Sequence, residues 1–275
     1  MTAWPEIRCQ RGCEKHLSRQ VRVSLGGATP YYDLTRIPMD LAVEFDMEVW
    51  DTDVTPVDGG PYCPSRDAVS ETILSMGVWE QRETVMALRV FKENPGKLFL
   101  DFGAQIGWFS LLAAANGVKV VAFEADADNA RLLNFSAIQN DVAHLVLVNE
   151  GRIGPGTHVV YVDREIALVK IDLEGAENEA IRMLDPALGA SLVERMMVEI
   201  SPVFDDYYPD LVTDLMFGYG FRAFLLPPKQ TPAIQLTGDP NELVHWEMKG
   251  TVAAIKDFVA DWHQEDVWFV REDLM

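Results

Sequence analysis

Basic residues are in short supply in this chain: 23 Lys and Arg stand against 43 Asp and Glu, a formal net charge of −20. Tight contact with nucleic acid needs clustered cations to neutralise phosphates, and no such cluster is visible. Nucleic acid is therefore not an expected partner. Cysteine is equally scarce. Cys9 and Cys13, followed by His16 and much later by Cys63, make one irregular half of a zinc signature that ordinarily shows two tight pairs. No metal is expected, and the thiols suit a reducing compartment. Apolar runs are short, none reaching the roughly 18 residues of a membrane span. No apolar segment follows the charges of the first residues, as a secretory signal requires. The expectation is a soluble, cytoplasmic protein. Low-complexity sequence is missing too, and aromatics make up 10% of the chain, which argues against disorder.

What is present falls into two parts. Residues 1–69 form an extension with two strand-like stretches, Val21–Leu25 and Leu41–Trp50. The second alternates Val43, Phe45, Met47 and Val49 with Glu44, Asp46 and Glu48, the period of a half-exposed strand. Gly26-Gly27 and Asp58-Gly59-Gly60-Pro61 punctuate it as turns. From Ser70 the pattern becomes helical, through Ile73 and Leu74 and then Thr84–Phe91, until Asn94-Pro95-Gly96 stops it. Residues 70–275 then alternate strands with helices. Strands are expected over Leu98–Phe102, Val118–Phe123, Leu145–Val148, Ala167–Ile171, Arg195–Ile200, Phe221–Leu226 and Val267–Val270. Helices are expected over Trp108–Asn116, Asp128–Gln139, Ala176–Leu184, Pro209–Phe217 and Gly250–His263. Uniformly apolar strands between amphipathic helices indicate an α/β fold, doubly wound around a mostly parallel, seven-stranded sheet.

Two segments carry candidate chemistry. In the first, Leu98–Asn116, a strand ends at Asp101, and Gly103 and Gly107 flank a turn into a helix whose first amides are free to meet a ligand. Glu124 ends the next strand, where an acidic side chain reaches the two hydroxyls of a ribose. A dinucleotide site requires a third glycine for its pyrophosphate, which Asp101 would also repel. An amino-acid tail with an ammonium group suits Asp101 better, which favours S-adenosylmethionine over a nicotinamide cofactor. The second segment is Val169–Ile181. Asp172 stands at a strand end facing the ligand crevice of such a sheet. Glu174 and Glu177 follow at a helix start, where acidic groups also suit the helix dipole. Asp172 is the leading candidate for a general base, with Glu199 or Glu177 as the alternative. His144, His158, His245 and His263 read as solvated or structural.

The runs Asp101-Phe102-Gly103-Ala104-Gln105-Ile106-Gly107-Trp108-Phe109-Ser110, Phe123-Glu124-Ala125-Asp126 and Lys170-Ile171-Asp172-Leu173-Glu174-Gly175-Ala176-Glu177 resemble the FkbM-type methyltransferases of the class I S-adenosylmethionine-dependent superfamily. Val198-Glu199-Ile200 and Trp79-Glu80 match more loosely. The resemblance implies S-adenosylmethionine as cofactor, held by residues at Glu80, Asp101, Gly103, Gln105, Gly107, Glu124, Ala125 and Asp172. It also implies O-methylation of a sugar or another small or glycan-like acceptor, without an obligatory metal. Gln105 stands where the family usually has asparagine, and the Asn149–Ile166 segment is short for it. A catalytically inactive docking module on the same fold is the alternative. Nucleic-acid methylation is disfavoured further by the lack of an Asn/Asp-Pro-Pro-aromatic run after the fourth strand of the domain.

Overall fold

The computed structural model describes residues 18–25, 41–50, 67–154, 157, 163–202, 206–226, 247–262 and 264–275. The cysteines, the turns at Gly26-Gly27 and Asp58–Pro61, and His16, His158, His245 and His263 lie outside the described residues. The alternating stretch of the extension becomes β2 (Val43–Trp50), paired antiparallel with β1 (Ser18–Leu25). Phe45, Met47 and Val49 are buried on its inner face. Its polar edge is tied to the helix following the fourth strand: Asp46 N donates to Asn140 Oδ1 at 2.7 Å and Glu48 N to Ser136 Oγ at 2.9 Å.

The helical stretch after Ser70 is two helices, α1 (Ala68–Met76) and α2 (Gln81–Glu93). Gly77 ends the first in the left-handed conformation (φ 75°), and Trp79 and Glu80 fill the turn between them. The apolar runs then build one sheet from β3 (Leu98–Phe102), β4 (Lys119–Glu124), β5 (Val146–Glu150), β6 (Ile166–Ile171), β7 (Arg195–Ile200), β8 (Phe221–Leu225) and β9 (Glu265–Arg271). The strand order is β5-β4-β3-β6-β7-β9-β8, parallel except for β9, which runs against both its neighbours. The mostly parallel seven-stranded sheet expected from the sequence is present.

Period two divides the sheet between two cores. Phe99, Leu168, Met197 and Trp268 face α2, α3 (Trp108–Ala115), α4 (Ala127–Gln139) and the β1–β2 sheet. Leu100, Val169, Val198 and Phe269 face α5 (Glu177–Gly189), α6 (Tyr208–Thr213) and α7 (Val252–Ala260). Strand order reverses between β3 and β6, which opens a crevice at their carboxyl ends.

Several boundaries moved for identifiable reasons. α5 continues through Pro186 to Gly189, because its apolar face at Met183, Leu184, Ala187 and Leu188 stays packed. α6 passes into a π-helical turn over Asp214–Gly218. α7 is shorter than expected, starting after Thr251, whose hydroxyl caps Ala254 N, and β9 is longer because it pairs on both sides. Among the described residues no helix lies between β5 and β6, and no helix is long and apolar enough to cross a membrane.

Candidate active site

Three connections meet at the reversal point, after β3, β4 and β6. Beyond β3 the chain turns through Gly103 (φ 85°), Gln105 (φ 51°) and Gly107 (φ 94°). A Cβ on Gly103 would stand 1.8 Å from the Asp172 carbonyl oxygen, and one on Gly107 2.2 Å from Leu133 Cδ1. Both glycines therefore allow the loop to lie against β6 and α4. Gln105 fastens that loop sideways: its Nε2 donates to Asp67 Oδ1 at 2.6 Å, and its Oε1 accepts from Ile106 N at 2.6 Å. Asp67 is itself the N-cap of α1, accepting from Ser70 N.

Glu124 ends β4 with both oxygens engaged. Oε2 accepts from Gln105 N and Oε1 from Asp126 N, each at 2.7 Å. A carboxylate has about four acceptor sites; the two amides and the Asn129 side chain take three, which leaves one for a ligand. Burial raises its proton affinity, and the Asp126 and Gln105 amides work against that. Together these groups enclose a cavity of about 660 Å³, lined by Gly103, Gln105, Phe109, Glu124, Ala125 and Asp172 among others. That volume lies within the roughly 300–1,000 Å³ usual for cofactor pockets. A larger cavity of about 870 Å³ lies under Leu100, Val121, Phe123 and Leu147 on the opposite face. Neither Glu124 nor Asp172 lines it, so its size alone places no chemistry there.

A row of charges runs from the cavity wall, which Lys170 lines, into the protein behind it. Asp101 on β3, Lys170 on β6, Glu199 on β7 and Asp266 on β9 share the sheet face of α2 and α3, near the ends of adjacent strands. Asp101 and Lys170 are register partners, as are Glu199 and Asp266. Asp101 is 1% exposed; its Oδ2 accepts from Ser110 Oγ at 2.6 Å, and its Oδ1 has no hydrogen-bond partner. Burial pushes its carboxyl up to about 6, against the pull of Lys170 and the Ser110 hydroxyl. Glu80, at the start of α2, is also raised, first by burial and then by Asp266, Glu83 and Asp172, with Lys170 opposing. Burial raises Glu199, helped by Asp172, and raises Asp266, helped by Glu83. Asp172 stands at the cavity wall, its Oδ2 accepting from Lys170 Nζ at 2.7 Å.

The residues singled out from sequence thus separate. Gly103, Gln105, Glu124, Ala125 and Asp172 line the cavity; Asp101 lies behind it, and Gly107 shapes the loop without lining it. Glu80 and Glu199 belong to the charged row outside the cavity lining, with Glu199 Oε1 accepting from Gln264 Nε2. Glu177, named from the sequence as an alternative base, lies outside the cavity lining. It is fully buried, and its carboxylate accepts from Leu173 N (2.9 Å), Gly175 N (3.2 Å), Tyr207 Oη (3.0 Å) and Tyr208 Oη (2.5 Å). A carboxylate so engaged anchors the turn after β6.

Ligand atoms of Asp172, Glu174 and Glu199 lie within 4.8 Å of one another, but Lys170 and Gln264 already hold two of these carboxylates. The cluster is part of the acidic row. Sequence reasoning gave no role to Lys170, Asp266 or the aromatic wall of Trp108 and Phe109. For Lys170 a signal existed: a charge inside an otherwise apolar strand, two residues before Asp172 and therefore on the same face.

No protein-family model and no curated protein matches the chain. Among solved structures, the METTL16 MTase domain is 9% identical, covers 74% of this chain and 77% of its own, and has a TM-score of 0.45. A precorrin-6y C5,15-methyltransferase from Geobacter metallireducens is 12% identical over 70% of this chain and 91% of its own, with a TM-score of 0.42. The O-methyltransferase TomG from Streptomyces achromogenes, solved with SAM, is 14% identical over 70% and 81%, with a TM-score of 0.36. Likeness at this distance carries no argument about chemistry, which has to come from the site itself.

Proposed function

We propose that this chain is an S-adenosylmethionine-dependent methyltransferase acting on a hydroxyl of a sugar or another small or glycan-like acceptor. The observation that carries the reading is Glu124. It is held by two loop amides and the Asn129 side chain at the end of β4, and it lines the cavity together with Gly103 and Asp172. A carboxylate at that place suits the vicinal hydroxyls of a ribose. Asp172, with Asp101 behind it, supplies the negative charge that suits the ammonium of an amino-acid tail. Bound there, the cofactor supplies an electrophilic methyl carbon for in-line displacement.

The protein's part is chiefly to hold the two reactants in line. An acceptor hydroxyl must also lose its proton, and in this reading Asp172 takes it. Lys170 holds its Oδ2, and the side chain is 27% exposed at the cavity. Calorimetry with S-adenosylhomocysteine on the wild type and on Glu124→Ala tests the assignment. Binding in the micromolar range, about −8 kcal/mol, that the substitution abolishes supports it. A folded wild type that does not bind would overturn it in favour of a docking module without the cofactor.

A further inference from the structure

Lysine is an odd residue for its place in β6. Its same-face neighbour one step back along the strand is Leu168, and beside that pair lie Phe99 on β3 and Met197 on β7, all buried and apolar. Lys170 is 5% exposed, and burying an ammonium is costly unless opposite charge and hydrogen bonds compensate. Here the compensation comes from several sides. Asp172 Oδ2 accepts from Nζ at 2.7 Å, the Phe109 ring lies 5.3 Å from Nζ, and Asp101 is the register partner on β3. Glu80 from the start of α2 and Asp266 from β9 also feel its charge. Of the other groups facing this row, Glu83 is paired with Arg82 at 2.7 Å, and Glu174 and Glu199 add negative charge around Asp172. Arg82 is thus spoken for, whereas Lys170 stands among Asp101, Asp172 and Glu80.

We infer that Lys170 is a positioning residue whose ammonium is the counter-charge of the carboxylate row and fixes Asp172 with one oxygen turned to the cavity. The inference rests on the methyltransferase reading and adds to it. With Lys170 in place, Asp172 and Asp101 present negative charge to the ammonium of the cofactor tail. Burial pulls the lysine toward the neutral form, but the charges of Asp172, Glu80 and Asp101 outweigh it and keep it protonated. Without the lysine, mutual repulsion would leave a proton on the row, and the cofactor ammonium would have to compete with that proton.

S-adenosylhomocysteine is the probe, with binding measured by calorimetry at pH 6.5 and pH 8.0 on wild type, Lys170→Met and Lys170→Arg. One neighbouring charge typically moves a carboxylate's proton affinity tenfold or more, so Lys170→Met is expected to bind about tenfold more weakly at pH 6.5. The deficit should narrow at pH 8.0, and Lys170→Arg should stay near wild type at both. An unchanged affinity in Lys170→Met, or a deficit equal at both pH values, overturns the inference, the second result being that of a purely structural lysine. If melting curves show Lys170→Met unfolded, Lys170→Gln replaces it with the same expectations. A wild type that fails to bind the probe overturns the cofactor assignment itself, an outcome no variant result can imitate.

Discussion

Glu177 and Asp172 are five residues apart and both acidic, yet their surroundings give them opposite tasks. Asp172 lines the cavity, whereas Glu177 is enclosed by two backbone amides and two phenols. Replacing Glu177 by Gln removes the charge and turns one acceptor into a donor facing groups that need an acceptor. A buried group left without its partner costs about 1–3 kcal/mol, and two or more are affected here. Urea unfolding should therefore show Glu177→Gln destabilised by about 2–4 kcal/mol. S-adenosylhomocysteine affinity per folded molecule should stay within a few-fold of wild type. A variant of normal stability that no longer supports turnover would restore Glu177 to the catalytic candidates. The sequence could not separate the two residues, because Tyr207 and Tyr208 reach Glu177 from about thirty positions away. Position at a strand end was a local signal; of the residues it marked, Glu124 and Asp172 line the cavity and Asp101 lies behind it.

At the level of elements, the central parallel strands β3 and β6 were legible because they are buried on both faces and read as apolar runs. β9 was legible as a strand but not in its place: it inserts antiparallel between β7 and β8, a pairing made by chain segments far apart. That insertion sets Asp266 opposite Glu199, and so completes a row whose first members the sequence showed singly. The row has a consequence for stability. Asp101, Glu80, Glu199 and Asp266 all bind protons more tightly in the folded protein than carboxylates ordinarily do, with burial the leading cause. From roughly pH 4 up to the raised values, these four groups therefore hold more protons in the folded protein than in the unfolded chain. Their contribution is fully present below that range and is lost as pH rises through the raised values. Asp101 alone, moved to about 6, corresponds to about 3 kcal/mol at about 1.4 kcal/mol per tenfold change. Thermal melting of the apoprotein should fall by several degrees between pH 5 and pH 8, and Asp101→Asn should flatten the curve by its share. A midpoint that rises across this range, or an Asp101→Asn curve parallel to wild type, would contradict the row.

Across the whole molecule, the two-stranded sheet of the extension belongs to the same core as the face that carries the site. Phe45 on β2 is 1% exposed and meets Trp108 edge-on, with ring centroids 5.8 Å apart. Trp108 donates through Nε1 to Thr84 Oγ1 on α2 and lines the cavity beside Phe109. The extension thus backs one wall of the site from behind, a relation invisible to a sequence reading that could only set residues 1–69 beside the main domain. Phe45→Ala should accordingly act at two levels. Truncating a buried phenylalanine costs about 3–5 kcal/mol, which denaturant unfolding will register. The loosened Trp108 should also weaken S-adenosylhomocysteine binding several-fold under conditions where the variant is still folded. Val23→Ala, on β1 in the same core, makes the control, because Val23 is the register partner of Phe45 and itself carries no ring to set against Trp108. It is expected to lower stability by a smaller amount and leave the affinity unchanged. Equal affinities for wild type and folded Phe45→Ala would show instead that the β1–β2 sheet stabilises the domain without shaping its cavity.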